Sequence, residues 1–484
     1  MNIRETSFLG VKWSSIGTIG RSIFQLLQIS ILTRFLPQEA FGLVAMALFF
    51  VNFSNIFADM GMTAAILHTR NANRKEYSSI YWLNVLVAFA LYCLLLIFRE
   101  HIAAFYNETD LLPIIPILGL NIIIMSAGRQ HKTIMQKKFL FKGIAIIELC
   151  SYFLGLMAAV ILAIKGFGIY SLIYSTLTAS FLSNTLYLIY NFKDEPISFR
   201  FRIRETKKFL KVGGYNTGST LLDFFSKESD ILIIGGMLGA ESLGLYSLSK
   251  QIIMKLYAVL NPIIINVLNP IFSSLQNEAV KLKQYALKAI FFISSISIPI
   301  YLLVILSSKE ILTILYGGNY ESGYIVLSFL ALSQLIHSIN NPSGSLQIAT
   351  GRTDVGFKWT LIRIVVTPIT ILFSSQYGIN AVAASVALLH LLLLIPLWRI
   401  QIKTLANIKL SEYFRQFYKP LLICIFITTS FLLFTYHNEL PYHIVINGLI
   451  KSITGLSLFA VSIFLLDRKR ILSLKETLKT NKQA

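Results

Sequence analysis

Asp223, Lys227, Glu228 and Asp230 lie close together in residues 209–235, a stretch otherwise long and apolar enough to be a membrane helix. Four charges at a bilayer centre cost roughly 10–14 kcal/mol, and about eleven apolar neighbours return only about 3–7. The segment must therefore face water or other helices on at least one side. At about 100° per residue, Asn216, Ser219, Thr220, Asp223, Lys227 and Asp230 share one face, and Glu228 points away from it. Groups of this kind inside a membrane can line a polar cavity, bind an anionic or hydroxylated solute, or pair with one another.

Three more segments carry such faces. Ser14, Gly17, Thr18, Arg21, Gln25 and Gln28 form a stripe in 11–33. Asn52, Asn55 and Asp59 lie near one face of 41–62. Tyr246, Lys250, Tyr257 and Asn261 do so in 243–270, with Lys255 off that face. These four segments are expected to line a central water-filled cavity. Its candidate substrate-binding residues are Arg21, Gln25, Gln28, Asn52, Asn55, Asp59, Asn216, Asp223, Lys227, Asp230, Lys250, Tyr257 and Asn261. Arg21, Lys227 and Lys250 would supply positive charge for an anionic ligand, and the aromatic faces suit sugars. The competing reading is structural, an ion-pair network of Arg21, Asp223, Lys227 and Asp230 in which Arg21 meets Asp223. Glu148 is a candidate proton site, although a paired carboxylate is the simpler expectation. Lys255 and Arg363 are expected to snorkel or pair locally, and Lys451 to be structural. Asn261-Pro262 and Asn269-Pro270 predict kinks or helix ends in 243–270.

The elements that must position these groups are membrane helices. The chain has 484 residues, of which 55% are hydrophobic and 14% charged. Mean hydropathy is +0.67. Soluble domains carry about 25% charge, so the expected fold class is all-α and polytopic. Fourteen apolar segments of about 20 residues are predicted, among them 11–33, 41–62, 112–128, 144–164, 209–235, 243–270, 378–398 and 444–466. The first contains Arg21 and no small-residue cleavage site, so it is expected to be retained rather than removed as a signal.

The net charge of +20 could be taken for a nucleic-acid footprint, but the placement of the cations argues otherwise. Of 43 Lys and Arg, 33 lie in the N-terminus, the even-numbered loops and the tail. Four lie in the odd-numbered loops and six within helices. This count puts Arg129 and Lys132 in the loop that follows 112–128. The bias fits the positive-inside rule and places both termini in the cytoplasm, with the basic loops against anionic headgroups and no nucleic-acid partner.

An internal repeat is visible at a shift of 202 residues. Leu36-Pro37-Gln38-Glu39-Ala40-Phe41-Gly42-Leu43 falls on Leu238-Gly239-Ala240-Glu241-Ser242-Leu243-Gly244-Leu245. At a similar offset, Gly168-Ile169 falls on Gly378-Ile379. Two six-helix bundles are therefore expected, over 1–200 and 201–405, with two further helices and a basic cytoplasmic tail over 406–484. Repeats of six enter the membrane in the same orientation and meet at a central site.

Other chemistries lack their residues. Cys93, Cys150 and Cys424 have neither metal nor redox spacing, and the seven histidines form no ligand pair. No phosphate loop or nucleotide fingerprint occurs, so no cofactor is expected and ATP would need another subunit. Short outer loops with scattered acids disfavour a membrane glycosyltransferase or polymerase, and no enzymatic activity is expected.

Phe35-Leu36-Pro37-Gln38-Glu39-Ala40-Phe41-Gly42-Leu43-Val44-Ala45-Met46-Ala47, followed by Ile56-Phe57-Ala58-Asp59-Met60-Gly61-Met62, resembles the polysaccharide transporter family. That family belongs to the superfamily of multidrug, oligosaccharidyl-lipid and polysaccharide exporters. The subgroup resembled contains colanic-acid and teichuronic-acid exporters. Asp230-Ile231-Leu232-Ile233-Ile234-Gly235 and Gly351-Arg352-Thr353-Asp354 add to the match, which spans about residues 1–400. The run Lys227-Glu228-Ser229 departs from the more neutral approach to Asp230 that the family leads one to expect. The resemblance implies two six-helix bundles working by alternating access in a bacterial plasma membrane. It also implies flipping of an undecaprenyl-pyrophosphate-linked oligosaccharide for surface polysaccharide or lipopolysaccharide assembly. The implied partners are that lipid-linked oligosaccharide, membrane lipids and the polymerase machinery. A cation-coupled drug or small-molecule antiporter of the same superfamily is the runner-up.

Overall fold

The computed structural model describes residues 3–69, 73–192, 197–199 and 201–437. All regular structure among them is helical, and ten helical stretches are long and apolar enough to cross a membrane. The protein is a multi-pass membrane protein. The expected segment 444–466 lies outside the described residues, as does Lys451.

Contacts divide the chain into two units, Met1–Val259 with Arg363–Ile379, and Leu260–Ile362 with Asn380–Ala484. The first unit opens with α1 (Ile3–Leu32), α2 (Gln38–Asp59), α3 (Met62–His68) and α4 (Arg74–Tyr106). It continues with α5 (Leu111–Lys137), α6 (Phe141–Ile164) and α7 (Ile169–Phe192). Helix α8 (Ile203–Ser274) begins in this unit and ends in the second.

Local chemistry sets the helix ends. Asn73 and Glu76 form a reciprocal capping box at the start of α4, each side chain accepting from the other's backbone N–H at 2.8–2.9 Å. The expected helix 41–62 breaks at Met60 (φ 46°) and Gly61 (φ 65°), two consecutive left-handed residues. The expected 112–128 runs nine residues further, to Lys137, and ends only where Phe139 turns left-handed (φ 57°). The expected 209–235 and 243–270 join as one helix bent at Gly239, where φ 78° suits a residue without a Cβ. We call 203–238 α8a and 240–274 α8b. No helix end or break occurs at Pro262 or Pro270, because α8b keeps helical dihedrals through both. Each proline removes one backbone donor without ending the helix.

The second unit contains the end of α8b, then α9 (Ala279–Leu306), α10 (Ser308–Tyr316), α11 (Tyr324–Ile339) and α12 (Pro342–Thr350). Helix α13 (Thr353–Ser375) contributes to both units. The unit continues with α14 (Ile379–Leu392), α15 (Leu394–Leu397), α16 (Lys403–Ala406) and α17 (Leu410–His437). The expected 378–398 is thus interrupted, and a short π-helical turn covers Trp398–Ile402. Helix α9 packs against α11 and α17. Buried Tyr413 donates to Asn340 Oδ1, Lys283 reaches Glu412 at 2.8 Å, and Trp398 Nε1 donates to the Ile408 carbonyl at 3.0 Å.

Candidate functional site

A cavity of about 1010 Å³ lies within the first unit. Periodic faces of seven helices build it. Helix α1 contributes Arg21, Gln25 and Gln28, α2 contributes Asn52 and Asp59, and α3 contributes Thr63. Helix α5 presents Asn121, Met125, Arg129, Lys132 and Gln136, spaced three and four residues apart along one face. Helices α6 and α7 add Glu148, Tyr152, Ser180, Asn184 and Tyr187. The two arms of α8 add Asn216, Phe224, Glu228, Lys250 and Lys255.

Three ionic clusters organise this wall. In the first, Glu148 Oε1 lies 2.7 Å from Lys132 Nζ and 3.6 Å from Arg21 Nη1, and accepts from the Tyr187 hydroxyl at 3.2 Å. In the second, Arg129 donates to the Asn55 carbonyl at 3.1 Å and to Asn55 Oδ1 at 3.0 Å. Its guanidinium stands 3.7 Å from Asp59 Oδ1, which also accepts from Thr63 Oγ1 at 2.6 Å. In the third, Lys250 Nζ donates to Asp230 Oδ1 (2.9 Å), Glu228 Oε2 (3.0 Å) and the Lys227 carbonyl (3.0 Å). Tyr246 donates to the other oxygen of Asp230 at 2.8 Å. Buried charges are tolerated when paired and hydrogen-bonded in this way. Lys255 differs in being bonded to a neutral group, Gln25 Oε1.

Of the residues singled out by sequence, Arg21, Gln25, Gln28, Asn52, Asp59, Asn216 and Lys250 line the cavity. Asn55 is buried behind it on Arg129, and Asp230 is buried beneath Lys250. Asp223 and Lys227 pair with each other one turn apart at 3.9 Å, with half-exposed side chains, and are not among the cavity-lining residues. Arg21 meets Glu148 where Asp223 was expected. Tyr257 is half-buried on α8b away from the lining, and Asn261 lies in the second unit, bonded to Asn341. Residues not singled out as ligands also line the wall: Arg129, Lys132, Glu148, Glu228 and Lys255.

Arg129→Lys tests the second cluster. A lysine ammonium cannot reproduce the planar two-point contact with Asn55 and still face Asp59. Arg129→Lys is expected to lose about 1–3 kcal/mol, as for a buried acceptor left unsatisfied. Thermal unfolding of detergent-purified protein measures this, and an unshifted midpoint would refute the assignment.

The first unit of this multi-pass helical protein thus holds a cavity walled by paired charges, amides and hydroxyls. Residues 31–325 match the family described as polysaccharide biosynthesis protein, and the chain belongs to that family. It is 28% identical to the teichuronic acid biosynthesis protein TuaB of Bacillus subtilis, over 87% of each chain. It is 25% identical to the lipopolysaccharide biosynthesis protein WzxC of Escherichia coli, over 87% of this chain and 86% of that one. Among solved structures it superposes on the lipid II flippase MurJ, inward closed, with a TM-score of 0.75 at 16% identity. That match covers 95% of this chain and 99% of MurJ. An inward-facing multidrug resistance MATE transporter gives 0.65 at 16% identity, covering 80% of this chain and 96% of that one. The chain shares the fold of these two solved structures.

Proposed function

We propose that this protein flips an undecaprenyl-pyrophosphate-linked oligosaccharide across the bacterial plasma membrane by alternating access, for surface polysaccharide or lipopolysaccharide assembly. The observation that carries the reading is the cavity wall. Five cations (Arg21, Arg129, Lys132, Lys250, Lys255) and a series of amides and hydroxyls face one space large enough for several sugars. Cationic groups suit a pyrophosphate or acidic sugars, amides and hydroxyls suit sugar hydroxyls, and the lipid tail can stay in the bilayer. Family membership and the names of the relatives support the same substrate class.

In this reading the repeats over 1–200 and 201–405 are the moving parts, and both termini face the cytoplasm. Arg21, Gln25, Gln28, Asn52, Asn216 and Lys250 contact the transported headgroup, and Asp59 and Asp230 hold cations in place. The polymerase that consumes the flipped unit is the expected downstream partner. Asp59, Glu148 and Glu228 each sit against a cation, which disfavours a cation-coupled antiporter built on an open carboxylate.

The test is deletion of the gene followed by a leaflet assay of lipid-linked sugars. Accumulation of the complete lipid-linked unit on the cytoplasmic side is expected. Normal translocation with an unpolymerised or incomplete glycan would sink the proposal.

A further inference from the structure

Helices α2 and α8 touch backbone to backbone at two places, and a glycine from each side makes both contacts. At the first, Gly42 lies in the opening turns of α2 and Gly244 in the opening turns of α8b. A Cβ on Gly42 would collide with the Ala240 carbonyl, at 3.0 Å from Ala240 Cα, and one on Gly244 would collide with the Gln38 carbonyl, at 3.2 Å from Gly42 N. The 202-residue shift maps Gly42 onto Gly244 and Gln38 onto Ala240. The contact is therefore reciprocal in the way a two-fold interface is, residue i on j and j on i. Beside it, Ala240 N donates to Glu108 Oε1 at 3.2 Å.

At the second place, Gly61 follows the end of α2 and Gly213 lies near the start of α8a. A Cβ on Gly61 would stand 2.6 Å from Gly213 Cα, and one on Gly213 would collide with the Met60 carbonyl and stand 3.1 Å from the Gly61 carbonyl carbon. Nineteen residues separate Gly42 from Gly61, about 28 Å along a helix, close to the thickness of a bilayer core. Between the two contacts the seam is aromatic, with Phe49 5.2 Å from Phe224 and Phe53 5.5 Å from Phe225.

The cavity starts at the first contact and runs past the second. Its α2 lining begins at Phe41, beside Gly42, reaches Asp59, just before Gly61, and continues along α3 at Thr63, Ala64 and Leu67. A second void of about 240 Å³, lined by Gly61, Asn216 and Thr220, lies against the second contact. Small residues let membrane helices approach closely, with backbone against backbone. We infer that Gly42/Gly244 and Gly61/Gly213 are positioning residues for two separable closures, one at the outer end of the cavity and one beside its inner part, where α2 gives way to α3. The cation bias puts the first outside and the second inside. This inference rests on the alternating-access reading above, in which one end opens while the other is shut. A methyl group at either contact holds that end apart and turns the cavity toward that side.

The test is side-specific labelling of Ala45→Cys, a cavity position, in a chain whose three native cysteines are replaced by serine. A membrane-impermeant maleimide is applied to spheroplasts and to inverted vesicles. Gly42→Ala and Gly244→Ala should each raise the outside-to-inside labelling ratio by about tenfold, and Gly213→Ala should lower it by as much. None of these three needs a left-handed φ, and Ala favours helix over Gly, so any loss is not a helix defect. An unchanged ratio, or a shift of the same sign at both contacts, overturns the inference. If the alanine variants do not accumulate, a Gln38→Cys/Ser242→Cys pair joined by a reducible cross-linker keeps the glycines. With labelling read at position 45 alone by peptide mapping, cross-linking should abolish outside labelling there and reduction restore it, and labelling at position 45 that persists when cross-linked overturns the inference. The labelling needs no substrate, so opposite shifts with normal lipid-linked sugar flipping in the deletion strain would sink the flippase reading alone.

Discussion

Lys250→Met is expected to destabilise the protein by about 3–5 kcal/mol, the typical cost of removing one partner from a buried ion pair, and to abolish export. The Lys250 side chain is 14% exposed and its ammonium serves Asp230 and Glu228 at once. Without it, two carboxylates are left close together, and the ion pairs that both made with one ammonium are gone while Lys227 acts on Glu228 from further off. Asp230 keeps its bonds from the Tyr246 hydroxyl and from Ile231 N, at 2.8 and 2.9 Å, but these were set to support a neutralised anion. Adding Asp230→Asn removes one of the stranded charges and keeps an acceptor for Tyr246. The double variant should recover most of the stability. Export should stay lost, because a lysine at the cavity wall has still gone. Thermal unfolding and membrane abundance read the first effect, and cell-surface glycan reads the second. A double variant that exports normally would remove Lys250 from the binding surface.

Glu148→Gln should have the next largest effect. One carboxylate oxygen serves Lys132, Tyr187 and Arg21. Glutamine keeps the volume and can still accept from Tyr187, but it releases two cations into the cavity without neutralisation. A loss of about 1.5–3 kcal/mol is expected, the range for a hydrogen bond to a charged group. The freed charge should also hold an anionic headgroup too firmly. More lipid-linked sugar should co-purify with the variant while export falls, and Lys132→Met in addition should reverse both. Wild-type export with an unshifted unfolding midpoint would show that the cluster is idle.

Much of this was legible in the sequence, because hydropathy and helical phase are local properties. Phase alone defines the polar faces of α1 and α2, and Arg21, Gln25, Gln28 and Asp59 line one space. The misses have physical causes. Hydropathy falls after residue 128, which by itself places Arg129 and Lys132 in a loop. The helix continues because nothing breaks it before Phe139, and its charges are neutralised by Asp59 and Glu148 on other helices. Their spacing with Asn121, Met125 and Gln136 was the available signal. Helical phase puts Glu228 off the polar stripe of 209–235. It reaches the cavity because the bend at Gly239 folds α8b back, so that Lys250 meets it from another direction. No property of α8a alone encodes that return.

The spacing of this last cluster also bears on how the chain enters the membrane. Lys227 has its partner Asp223 one turn away, so that pair is complete as soon as α8a is made. Glu228 and Asp230 wait for a lysine 22 and 20 residues further along. At the translocon, α8a presented alone carries two acids that each disfavour insertion by about 2.5–3.5 kcal/mol at a helix centre. Once α8b has emerged, the same acids are neutralised from within a two-helix unit. Residues 203–274 should therefore partition into the bilayer as a hairpin. In a glycosylation-mapping assay, 203–238 alone should insert poorly, 203–274 should insert well, and Lys250→Glu should cancel the gain. Efficient insertion of 203–238 alone would show that the acids impose no order on biogenesis.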